Sequence, residues 1–103
     1  MKTATMTLPK PKIHPDCQFS SAYANCALEQ LERVMTNFLT ALANSTTEYP
    51  RWDLETFGAY QKLRGALEMA KYCDLIDWSS GSEIIDAAID LLYGIQRKAA
   101  DAT

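Results

Sequence analysis

The sequence predicts an all-α fold, a small up-down-up three-helix bundle behind a flexible Pro-rich N-terminal tail. Three apolar stripes predict the helices: Leu28, Leu31, Met35, Phe38 and Leu42; Tyr60, Leu63, Leu67 and Ala70; and Ile85, Ala88, Leu92, Ile95 and Ala99. Apolar residues alternating at three and four positions give each helix one face to bury against its neighbours. Size is the second observation. A chain of 103 residues, 48% hydrophobic and 22% charged, is one domain that can close a core without a metal or disulfide staple. The third is the crowding of Pro9, Pro11 and Pro15 before the first stripe. Prolines favour extended backbone and exclude helix at the residues that precede them. The expected division is a flexible Pro/Lys tail over 1–16 and a helical domain over 17–103.

The first helix is expected at about 21–43. Ser20 or Ser21 can cap the free amides of its first turn, and Glu29, Gln30, Arg33, Thr36, Asn37 and Thr40 form its polar side. Ala27, Val34 and Ala41 broaden the apolar side, as a bundle helix requires. A loop through Pro50 follows. The second helix is expected at about 54–76, with Asp53 as cap and Glu55 in the first turn, where a carboxylate meets the positive end of the helix dipole. Its stripe includes Ala59, Ala66 and, near its end, Cys73, expected as a small buried hydrophobe. The third helix is expected at about 81–99. Ser80 and Glu83 have capping-box spacing, with Ser82 as the alternative cap, and Ile84, Ile89 and Leu91 add to its apolar face. Trp52 and Trp78 flank the second helix and are expected to plug the ends of the bundle.

Charge and cysteine usage narrow the function classes. Lys2, Lys10 and Lys12 against Asp16 give the tail a net charge of +2, so with −3 overall the remainder carries −5. An acidic body repels phosphates, which counts against nucleic acid as a partner. Cys17, Cys26 and Cys73 are an odd set without C-x-x-C spacing. That indicates neither a disulfide framework nor a zinc site, although a Cys17–Cys26 bridge is sterically conceivable. No apolar run reaches the roughly 18–20 residues that cross a bilayer, and the N-terminus lacks the apolar segment of a signal peptide. A cytoplasmic location and no membrane contact are the expectations.

Catalytic groups are scarce. His14 is the single histidine and sits among the prolines, so a Ser-His-Asp or Cys-His arrangement would have to recruit a tail residue. One histidine cannot furnish a di-iron bundle site, and no Gly-rich phosphate loop occurs. No enzyme activity, catalytic residue, cofactor or metal is expected.

Two features point to binding. Glu83, Asp86 and Asp90 are spaced by three and four and form one row on the third helix, suited to a protein partner with a basic surface. Gly58 and Gly65 lie seven apart on the second helix, and Met69, Tyr72 and Ile76 extend their stripe away from the main core. An interior helical glycine costs about 0.5–1 kcal/mol relative to alanine, so close approach of another backbone is expected there, and with it a homodimer. The expected function is therefore non-catalytic: a stoichiometric inhibitor or adaptor that occludes a macromolecular partner, as antitoxins, immunity proteins and phage anti-defence proteins do. A nucleic-acid-binding regulator and a small-ligand-binding bundle are the alternatives.

Overall fold

The computed structural model describes residues 7–45 and 53–102, with side chains up to Tyr93 in the last helix. It is a three-helix bundle: α1 (Ser21–Asn44), α2 (Leu54–Tyr72) and α3 (Trp78–Ala102). Among the described residues α2 is the central helix, with α1 and α3 each packed on it and little direct contact between α1 and α3. Phe38, Leu63, Leu67, Ile76, Ile84 and Leu92 are fully buried and form the centre of the core. Phe38 meets Tyr60 with ring centroids 6.2 Å apart.

Local chemistry sets the helix ends. The Ser20 hydroxyl accepts from the Tyr23 N–H at 3.2 Å and starts α1. Asp53 caps α2 by accepting from the Glu55 N–H at 3.2 Å. Thr56 is fully buried, and its hydroxyl lies 3.3 Å from the Ala41 carbonyl and 3.1 Å from the Asp53 carboxylate. It ties the start of α2 to the end of α1. The loop between these helices, including Trp52, lies outside the described residues, as do the side chains of Ile95 and Ala99.

The junction between α2 and α3 departs from expectation. α2 stops at Tyr72, four residues earlier than the apolar spacing predicts, because Asp74 takes a left-handed conformation with φ 59°. The Leu75 N–H then bonds back to the Ala70 carbonyl at 3.0 Å and the Asp74 N–H to the Lys71 carbonyl at 3.1 Å. This is a Schellman ending, with aspartate where glycine is usual. Leu75 and Ile76 fold inward behind it, while Cys73 is exposed rather than part of the core. α3 begins at Trp78 instead of about 81. The Asp77 carbonyl accepts the Gly81 N–H at 3.0 Å, and the Asp77 carboxylate accepts from the Ser79 hydroxyl at 2.7 Å. Ser80 and Ser82 are therefore inside the helix and do not cap it.

Ser80 has another partner. Its hydroxyl, almost fully buried, accepts the Lys12 N–H at 2.9 Å. The Lys12 carbonyl accepts the Asp77 N–H at 2.8 Å, and the Leu75 carbonyl accepts the His14 N–H at 3.0 Å. Ile13 and Ile76 thus form an isolated antiparallel bridge. Leu8 packs against the core, beside Met35 and Leu39 of α1. From residue 8 onward the segment expected to be a flexible tail is laid across α1 and the first turn of α3. Its prolines keep it extended, and an extended backbone has unpaired amides and carbonyls to offer the turn after α2.

Candidate functional site

Core packing leaves one side of the α1–α2 pair uncovered. An open apolar groove of about 290 Å3 runs between the two helices, lined by Phe19, Tyr23, Leu31, Val34, Met69 and Cys73 among others. Phe19 and Tyr23 stack with centroids 4.9 Å apart at its mouth. Neither ring stands out in the sequence, although Tyr23 lies four residues before Ala27 on the groove side of α1.

Beside the groove is the outer face of α2, which contains four of the five residues expected to mediate self-association. Met69 is 69% exposed and Tyr72 is 68% exposed. Gly58 is half-buried and Gly65 is exposed. A Cβ built on either glycine would find no atom within 4 Å. Nothing within the described chain approaches these glycines closely. Ile76, the fifth, does not belong to the face. It is fully buried because α2 ends before reaching it. Leu54, 88% exposed, continues the face at its other end, since it precedes Gly58 by four and Gly65 by eleven residues.

A glycine that does carry a close approach is Gly81. A Cβ there would come within 2.5 Å of Lys71 Cδ and 3.3 Å of Ile76 Cδ1. Lys71 itself is nearly buried. Its ammonium lies 3.2 Å from Glu68, 3.4 Å from the Ser82 hydroxyl and 5.0 Å from the centre of the Trp78 ring. Trp78 stands edge-on to Tyr72, 5.1 Å between centroids, and is 46% exposed. It does not plug the bundle as expected; it widens the apolar surface at the C-terminal end of α2.

The structure brings Glu83, Asp86 and Asp90 together as the sequence predicts. All three are exposed on α3, turned away from the buried Ile84, Ala88 and Leu92. His14 lies at the leader turn, where Nδ1 accepts the Asp16 N–H at 2.9 Å and Nε2 lies 4.0 Å from Asp74 Oδ1. Cys17, Cys26 and Cys73 are all free thiols, so Cys17 and Cys26 are not bridged. Among the described residues no three His, Cys, Asp or Glu side chains converge into a metal-binding group. No described helix is long and apolar enough to cross a membrane. Comparison with protein-family models, with curated proteins and with solved structures gave no match.

Proposed function

We propose that the protein is a non-catalytic binding module, an inhibitor or adaptor that occludes a macromolecular partner and associates through its α2 side. The observation that carries this reading is the exposed apolar side itself. Met69, Tyr72 and Tyr23, each more than half exposed, lie along or beside an open groove, Leu54 is exposed at the far end of the same helix, and exposed apolar surface of this extent usually marks an interaction site. Grooves between paired helices commonly receive the apolar face of another helix.

The acidic row Glu83, Asp86 and Asp90 serves a second contact, toward a basic surface on the partner. Carboxylates at the edge of an interface steer encounter and select the partner more than they add affinity. Affinity capture from the source cells tests the proposal, using wild type beside a Glu83→Lys, Asp86→Lys, Asp90→Lys variant and a Met69→Glu variant. One protein recovered in stoichiometric amount by wild type and lost by either variant supports it. Recovery indifferent to both variants overturns it. A small-ligand-binding protein would instead show a rise in melting temperature with a compound that fills the groove.

A further inference from the structure

Leu54, Gly58, Gly65, Met69 and Tyr72 give α2 an outer face that the described chain leaves largely open, with Trp78 against one edge of Tyr72. Interior glycines weaken a helix, and the space left by these two is open. We infer that a second copy of the chain covers this face, packed antiparallel through α2 with Gly65 on the two-fold axis. The inference rests on reading the α2 side as an association face and names its occupant.

Spacing supplies the register. Gly58, Gly65 and Tyr72 are seven residues apart, so Gly58 and Tyr72 lie equally far from Gly65, about 10.5 Å along the helix. A two-fold axis at Gly65 therefore sets each Tyr72 ring over the partner's Gly58, a large side chain against an empty position. At the axis glycine meets glycine, which permits close approach of the two backbones.

Charge separates this face from the acidic row of α3. Lys62 and Glu68 flank Gly65 with opposite sign, so the two-fold opposes no row of like charge. Across the acidic row of α3 a second copy would set carboxylates against carboxylates. Area agrees as well. Leu54, Met69 and Tyr72, with Tyr23 and Trp78 at the edge, present on the order of 600 Å2, given about 150–250 Å2 for a free aromatic side chain. That is the low end of interface sizes, below the ~800 Å2 per partner of a standard one, and fits a dimer that dissociates on dilution.

Cross-linking tests the register in full-length protein with Cys17, Cys26 and Cys73 changed to serine. Gly65→Cys is expected to form a disulfide-linked dimer under mild oxidation, because the paired Cα atoms would lie within the roughly 4.4–6.8 Å that a disulfide spans. Arg64→Cys is expected to stay monomeric on the same non-reducing gel. Below the association range, where only the monomer is read, the open space at Gly65 means that neither Gly65→Cys nor Gly65→Leu should lower the melting temperature. Gly65→Leu should nevertheless dissociate the dimer. A dimer by light scattering that cross-links through Arg64→Cys and not Gly65→Cys overturns the register and leaves the association face standing. A monomer at high concentration with no cross-link overturns the second copy as occupant. The capture experiment above then decides independently whether a different protein binds there.

Discussion

Gly81 and Gly65 are both helical glycines with opposite surroundings. Gly81 faces the stem of a nearly buried lysine, and Gly65 faces open space. Gly81→Ala should therefore destabilise by about 1–3 kcal/mol, as overpacking does. Gly58→Ala and Gly65→Ala should stabilise the monomer by about 0.5–1 kcal/mol each, through the better helix propensity of alanine. Urea unfolding of the three variants at a concentration below association checks both signs. The heptad spacing of Gly58 and Gly65 was legible in the sequence, and so was the row of Glu83, Asp86 and Asp90. The role of Gly81 was not, because its contact with Lys71 forms across a turn that no periodicity reports. Cys73 leaves the core for a different reason: a stripe predicts burial only while the helix continues, and α2 ends at Tyr72.

At the scale of elements, the leader and the α2–α3 turn stabilise each other. The Lys12 and His14 N–H groups donate to the Ser80 hydroxyl and the Leu75 carbonyl, the Lys12 carbonyl accepts the Asp77 N–H, and Leu8 rests on the core. Deleting residues 1–13 should lower the melting temperature by several degrees, since each 1 kcal/mol lost shifts a domain of this size by about 4–8 °C. An unchanged melting temperature would show that the leader does not pack on the body. Ser80→Ala removes a single acceptor and should cost about 1 kcal/mol. The cap of α2 at Asp53 is legible to the residue, and that of α1 to Ser20 or Ser21, of which the structure uses Ser20. The end of α2 was hidden because Asp74, not glycine, takes the left-handed position. Prolines showed that the leader is extended but not where it lies, since its pairing segment, Leu75 to Asp77, was expected inside or just after a helix.

For the whole molecule, three unambiguous helical periods determine one architecture, and for that reason the bundle could be read directly from the chain. Leu31, Leu67 and Leu92 are at most 5% exposed, and each change to alanine should cost about 2–5 kcal/mol in chemical unfolding. Losses below half a kilocalorie at all three would mean that these faces are not the core. What periodicity does not show is how much apolar surface remains outside once the core closes. Phe19, Tyr23 and Trp78 join that surface only because the groove, the early end of α2 and the early start of α3 place them beside Met69 and Tyr72. The central claim is that this surface is covered by a second copy of the chain. Size-exclusion chromatography with light scattering on the wild-type protein, over a dilution series, tests it most directly. The inference predicts a mass twice 11.5 kDa that falls toward the monomer on dilution, and a constant 11.5 kDa at the highest concentration would contradict it.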